Sequence, residues 1–237
     1  MKGFWRKLQR LELSLQRICR LRQFSMRRRF RAVYSGNWFG ADESRSGSGS
    51  SLEQTATIRR ELHGLLVSVG ARELLDAPCG DAHWISQLDW TRINYVGVDI
   101  VPDAIKANEV RLAAKGMRFQ VANICEDRLP KADVVLCRDC WVQLTFRQIA
   151  ACVENFRCSG ATYLLATTFH GLAGNIELEP GAIWRPLNLQ RPPFCFPDPE
   201  RLLVEGCTES GGNYADKALA LWRLAALPAV RVGEYYL

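Results

Sequence analysis

The sequence predicts an α/β fold: a mostly parallel sheet covered on both faces, with late antiparallel strands at one edge. Strand-like and helix-like segments alternate from "ELLDA" through "TYLLATT", which ends at Thr168, and alternation of this kind builds parallel sheets. The apolar segments beyond Thr168 have no long helix between them, so they should return antiparallel. Asp76 and Asp99 end the first two strands of the alternating part, 23 residues apart. In open sheets of this type, ligands bind beyond the carboxyl ends of the strands, where the strand order reverses.

Residues 1–32 read as a basic extension and residues 33–237 as the folded domain. Positions 1–31 hold eleven Lys or Arg and one acid, Glu12, a net +10, whereas the remainder carries 20 basic and 24 acidic residues, a net −4. Phe4, Leu8, Leu11, Leu15 and Ile18 recur at helical spacing, which makes the extension a basic amphipathic helix. Such a helix suits an anionic membrane surface, a protein partner or a phosphate backbone. The acidic domain behind it argues against nucleic acid as the partner.

"ESRSGSGSS" follows, and Ser51 is placed to cap a helix starting at Leu52, with Gln54 three residues on as in a capping box. Small residues leading into a helix N-terminus present backbone amides to an anion; an ordinary linker has the same composition. After the "ELLDA" strand, "DAHWISQL" reads as a helix, "NYVGVDI" as a strand, and "PDAIKANEVRLAAK" as a helix with Pro at its first turn. "MRFQVA" and "ADVVLC" read as strands, "FRQIAACVENF" as a helix and "TYLLATT" as a strand. The Pro-rich "EPGAIWRPLNLQRPPFCFPDP" is irregular, and "ALALWRLAAL" supplies the late apolar segment.

At 237 residues and 48% hydrophobic content, the chain can bury one full core. No run is long and apolar enough to cross a bilayer, and no signal-peptide pattern is present, so the expected location is the cytoplasm, with the extension able to reach the inner membrane face. Nine cysteines, several inside strand-like runs, fit a reducing compartment. Cys137 and Cys140 form a C-x-x-C without a second pair at ligand spacing, and His63, His83 and His170 are scattered, so no metal site is expected.

The two strand-tip acids constrain the ligand. Asp99 suits the hydroxyls of a ribose, but Asp76 would repel the pyrophosphate of a dinucleotide. A cationic ligand is called for, and S-adenosyl-L-methionine offers an ammonium and a sulfonium and has no phosphate. Asp76, Gly80 and Asp99 fall where class I S-adenosylmethionine-dependent methyltransferases carry their first motif and ribose-binding acid. More narrowly, "GADESRSGSGSSLEQTATIRREL", "LLDAPCGDAHW", "DVVLCRDCWVQLTF" and "WRPLNLQRPPF" resemble a group of bacterial methyltransferases of this class, which implies that the Gly/Ser loop belongs to the catalytic domain. The usual first turn carries three glycines; here two of those positions are Pro78 and Ala82.

The resemblance implies a Rossmann-like methyltransferase domain with S-adenosyl-L-methionine as cofactor. Its binding residues would be Asp76, Ala77, Pro78, Cys79, Gly80, Asp99 and Ile100, with Asn123 and Ile124 at the adenine and Arg138 after the fourth strand. Asp139 is the candidate catalytic group facing the acceptor, and His170 is a second candidate base. Arg45, Ser46, Gly47 and Ser48 in the Gly/Ser loop, with Trp184, Arg185 and Asn188 and the nearby Phe194 and Phe196, are the candidate acceptor-binding residues. The expected acceptor is a small molecule, a glycan or a lipid-linked precursor; the alternatives are a nucleic-acid or protein methyltransferase using the basic extension, and a non-catalytic binding domain.

Overall fold

The computed structural model describes residues 25–230, so the helix expected around Phe4 to Ile18 lies outside the described residues. Seven strands form one sheet: β1 (Glu73–Asp76), β2 (Asn94–Asp99), β3 (Arg118–Val121), β4 (Val134–Cys137), β5 (Tyr163–Phe169), β6 (Arg201–Val204) and β7 (Lys217–Arg223). Their order is β3-β2-β1-β4-β5-β7-β6. The first five strands are parallel, β7 is antiparallel to β5, and β6 is antiparallel to β7. This is a Rossmann-like sheet with its late strands antiparallel at one edge, as expected.

The α-helices among the described residues are α1 (Met26–Ser35), α2 (Ala56–Ser68), α3 (Pro102–Leu112) and α4 (Phe146–Cys158). Alternate strand residues feed two apolar layers. Leu75, Val135, Leu164 and Ala220 pack with Phe146, Ile149, Val153 and Phe156 of α4. Leu74, Val134, Leu136 and Leu165 pack with Ile58, Leu62 and Leu66 of α2 on the other face. Thr145 caps α4 with a full capping box, its hydroxyl accepting from Gln148 N while the Gln148 side chain accepts from Thr145 N.

Three expectations need correction. The helix expected from Leu52 starts at Ala56; Ser51 Oγ does accept from Gln54 N, but the Gln54 side chain reaches Thr208 instead of folding back, so the box is not closed. "DAHWISQL" contains only a short 3-10 turn at Ile85–Gln87. There Ser86 Oγ donates to His83 O, and Asp89 caps Thr91 N, local bonds that compete with an α-helix. The boundary at residue 32 cuts through α1. Met26, Phe30, Val33 and Tyr34 share one helical face and pack toward Ile100, Val101 and Ala104 or the main core.

Candidate active site

The strand order reverses between β1 and β4, and a cleft opens there at the carboxyl rim of the sheet. Asp76 ends β1, and its register partner on β2 is Gly97, so Asp99 extends two residues further along the same rim. Asp76, Pro78, Cys79, Gly80, Asp99, Ile100, Asn123, Ile124 and Arg138 all line this cleft. Of the ten residues expected at the cofactor, Ala77 alone does not line it: its side chain is fully buried in the core and its amide donates to Leu136 O at 2.8 Å.

Asp76 accepts a hydrogen bond from Tyr95 Oη at 2.6 Å and has no cation at ion-pair distance among the described residues. Burial pushes its pKa up to about 7, against the Tyr95 hydrogen bond, and the charge of Asp99 adds to the rise. Asp99 ties the two strand tips together by accepting from Gly80 N at 3.0 Å and Val101 N at 2.9 Å. Its pKa rises to about 6, chiefly through burial. A carboxylate has about four lone-pair sites, so Asp99 can accept further bonds from a ligand. Among the described residues neither acid has an ion-pair partner, although the charge of Arg138 across the cleft eases Asp76 somewhat; the arrangement is costly unless a ligand supplies positive charge or donors.

The turn after β1 is closed by the Gly/Ser loop. Gly80 has φ +54°, and a Cβ there would collide with Ser46 Oγ, so its glycine answers both a left-handed backbone and a close approach. Ala82 occupies the same left-handed region, at φ +50°, and remains buried. The start of the loop is turned toward an acid of the protein itself. Ser44 Oγ and Arg45 N donate to the Asp81 carboxylate, and Asp81 N donates to Ser46 Oγ. Asp81 is thus the anion at the Ser44–Ser46 end of the loop. The Arg45 guanidinium donates to Tyr34 O and lies over the Tyr34 ring, fastening the loop to α1.

Helix α1 forms the wall opposite the sheet. Met26, Phe30, Val33 and Tyr34 line the cleft with Phe39, and Arg29 anchors the helix by donating to Gln143 O at 2.8 Å.

A second chamber of about 290 Å³ adjoins the cleft; Phe39, Ser46, Asp139 and Gln143 line both. Phe169, Trp184 and Tyr214 form its aromatic wall, with ring centroids 5.0 to 5.8 Å apart. Ser46, Gly47, Ser48 and Trp184 lie here, where acceptor contacts were expected. Arg185 and Asn188 do not. Arg185 donates to the carbonyls of Trp141, Leu144 and Ile176, and Asn188 is buried, donating to those of His170 and Leu172. Both pin the Pro-rich segment. Phe194 and Phe196 are core residues. His170 is exposed and lines neither space.

Asp139 sits at the junction, in the left-handed backbone region at φ +51°, with its amide donating to Thr167 Oγ1. Lys217 Nζ lies 2.5 Å from Asp139 Oδ2, and Arg138 lies 3.3 Å from the same oxygen. Arg138 also grips Glu205 at 2.7 Å, donates to Gly49 O and covers the Trp84 ring. Burial raises the pKa of Asp139, but Lys217 and Arg138 outweigh it and hold the carboxyl below its ordinary range. Asp139 is therefore held as an anion at the junction, which suits a polar group facing an acceptor better than a proton-accepting base. Lys217 and Glu205 escape a sequence reading, although a lone Lys opening the apolar run "KALALW" is the signal that could have raised them.

No family model and no curated protein matches the chain. Among solved structures, it is similar to the methyltransferase domain of bacterial CtHen1, at 18% identity and a TM-score of 0.43, covering 50% of this chain and 67% of that one. It is similar to magnesium protoporphyrin IX methyltransferase from Synechocystis with bound S-adenosylhomocysteine, at 17% identity and 0.44, over 60% and 69%. A third is the N-methyltransferase NodS from Bradyrhizobium japonicum in complex with S-adenosyl-L-homocysteine, at 15% identity and 0.45, over 58% and 74%. At these identities the likeness is one of fold.

Proposed function

We propose that the protein is an S-adenosylmethionine-dependent methyltransferase acting on a small molecule, a glycan or a lipid-linked acceptor. One observation carries this reading: Asp76 and Asp99, buried and without counter-ions among the described residues, face one cleft at the switch in strand order. A ligand for that cleft needs an ammonium for Asp76 and hydroxyl donors for Asp99, and must lack phosphates there. S-adenosylmethionine meets all three conditions, and the motif resemblance of "LLDAPCGDAHW" agrees with it.

In this reading the methionine ammonium pairs with Asp76, the ribose hydroxyls donate to Asp99, and the adenine lies against Ile100, Asn123 and Ile124. The bound donor supplies an activated methyl group. The chain's own residues then have two tasks, which are to align the acceptor and to exclude water. Alignment is worth up to about 7–11 kcal/mol in favourable cases. Helix α1 and the Gly/Ser loop cover the cleft, and the second chamber delivers the acceptor past Asp139 and Gln143.

Titration calorimetry with S-adenosylhomocysteine, S-adenosylmethionine and a nicotinamide dinucleotide tests the donor. Binding of the first two, lost in Asp76→Asn, is expected. Tight dinucleotide binding without a response to the sulfur nucleosides would overturn the assignment. The residues before 25, with their basic charge, fit a role in reaching an anionic surface; no helix among the described residues is long and apolar enough to cross a membrane.

A further inference from the structure

The second chamber has a chemistry of its own. Its wall of Phe169, Trp184 and Tyr214 is aromatic, and its charged residues are Asp139, Glu209 and Lys217. Lys217 is already matched, lying 2.5 Å from Asp139 and 3.6 Å from Glu205. Glu209 accepts from Ser48 Oγ at 2.5 Å and has a weak contact with Cys207 Sγ. No cation is at ion-pair distance from it among the described residues. Asp139 Oδ1 is buried and has no hydrogen-bond donor among the described residues. All three charged groups crowd the face of Gly49, where a Cβ would stand 3.0 Å from Glu209 Oε2, 3.4 Å from Asp139 Oδ2 and 3.4 Å from Lys217 Nζ. The chamber thus offers a molecule the negative charge of two carboxylates, set among π-faces. Aromatic faces and carboxylates attract the same partner, a nitrogen that carries N–H groups and positive charge.

We infer that the acceptor atom is an amine nitrogen, held before the methyl donor by the negative charge of Asp139 and Glu209. The inference rests on reading the adjoining cleft as the methyl-donor site. The amine sheds one proton to bulk water and enters attack as the free base. Its lone pair forms the N–CH3 bond while the S–CH3 bond breaks and its electron pair stays on sulfur. The donor becomes neutral S-adenosylhomocysteine, and the positive charge passes to the methylated nitrogen. That charge arrives beside Asp139, a carboxylate already held in place by Lys217 and Arg138, so little reorganisation is needed to stabilise it.

A hydroxyl acceptor asks for the opposite arrangement. It must lose its proton during attack, and Asp139, held ionised by its two cations, is a poor proton acceptor. His170, the other candidate base, lines neither space. An oxygen gaining negative charge would also face Glu209.

The experiment uses the full chain with S-adenosylhomocysteine bound, after its affinity has been measured alone. Calorimetry then compares 2-phenylethylamine with 3-phenylpropionate, two probes of similar size and opposite charge. The amine should bind and the carboxylate should not. Glu209→Gln should weaken the amine at least tenfold without changing the affinity for S-adenosylhomocysteine, because Glu209 does not line the donor cleft. In parallel, tyramine, which carries an amine and a phenol on one ring, is incubated with isotope-labelled S-adenosylmethionine, and any methylated product is located by NMR. Methyl on nitrogen supports the inference. Methyl on the phenolic oxygen overturns it, as does equal or tighter binding of 3-phenylpropionate, or binding of neither probe at millimolar concentration. If tyramine is not turned over, the binding comparison decides. If S-adenosylhomocysteine itself fails to bind, the donor reading falls and takes this inference with it, a failure seen in the first titration and distinct from the others.

Discussion

Asp76 should make donor binding strongly dependent on pH. Its pKa stands near 7, raised first by burial and further by Asp99, with the Tyr95 hydrogen bond opposing. Only the ionised form can pair with an ammonium, so apparent affinity falls as pH drops through 7. For a single site of pKa 7, the factor between pH 7.5 and pH 6 is about eightfold, or roughly 1.2 kcal/mol. Asp99, near 6, adds about a factor of two over the same range. Calorimetry of S-adenosylhomocysteine in buffers of different ionisation enthalpy should show release of about 1.4 protons at pH 6, about 0.9 from Asp76 and about 0.5 from Asp99. Asp76→Asn should flatten most of the profile and leave affinity low throughout. Stability without ligand should move the other way: an acid whose pKa is raised on folding contributes stability below its unfolded value near 4 and loses it as pH rises through 7. For Asp76 alone this amounts to about 4 kcal/mol. An affinity constant from pH 5.5 to 7.5, with no proton release, would refute the assignment of the ammonium to Asp76.

Asp99→Ala should weaken donor binding by about 1.5–3 kcal/mol if its carboxylate accepts ribose hydroxyls; an unchanged calorimetric affinity would move the ribose elsewhere. Glu205→Ala leaves Arg138 buried and short of a partner, so denaturant unfolding should show a loss of about 3–5 kcal/mol, with Glu205→Gln milder. A chain starting at Val33 lacks Met26 and Phe30 of the cleft wall; it should still fold but bind S-adenosylhomocysteine at least severalfold more weakly than the parent, and equal affinity in calorimetry would show that α1 is dispensable. Gly49→Ala places a methyl among Glu209, Asp139 and Lys217, so acceptor turnover should fall more than donor affinity; equal losses in both would tie this loop to the cleft alone.

The cleft at the switch point was legible in sequence because it is built from positions at neighbouring strand tips. An apolar run of four to six residues ending in an acid fixes both the strand and the place where its carboxylate emerges. Asp76 and Asp99 are of this kind, Asn123 follows the next strand, and the sheet brings them together whatever the helices do. The second chamber was only partly legible. Trp184 stood out as an aromatic in an irregular stretch, but Arg185 and Asn188 beside it are spent on backbone carbonyls, a use that composition cannot distinguish from ligand binding. Lys217 meets Asp139 across 78 residues of sequence because β7 runs antiparallel beside β5, which places the first residue of β7 opposite Phe169 at the rim. The order of the last two strands had to be known before that pairing could be seen.

The same rim holds carboxylates in two contrasting states, and the contrast assigns their tasks. Asp76 and Asp99 are buried with neutral donors only, so their pKa values climb and each gains by meeting a ligand's charge or hydroxyls. Asp139 is buried against two cations, so its charge is permanent and its geometry fixed. Environments that push like groups apart in pKa mark a division of labour. Here the titrating acids face the cleft proposed to bind and release a cationic donor, while the permanent anion stands where the cleft meets the second chamber. A protein that had only to bind the donor would need the first pair. The buried network of Arg138, Glu205 and Lys217, costly to desolvate, holds Asp139 in a left-handed backbone conformation at that junction. Strain of this kind persists only where surrounding structure enforces it, and positioning an acceptor nitrogen gives that enforcement a use.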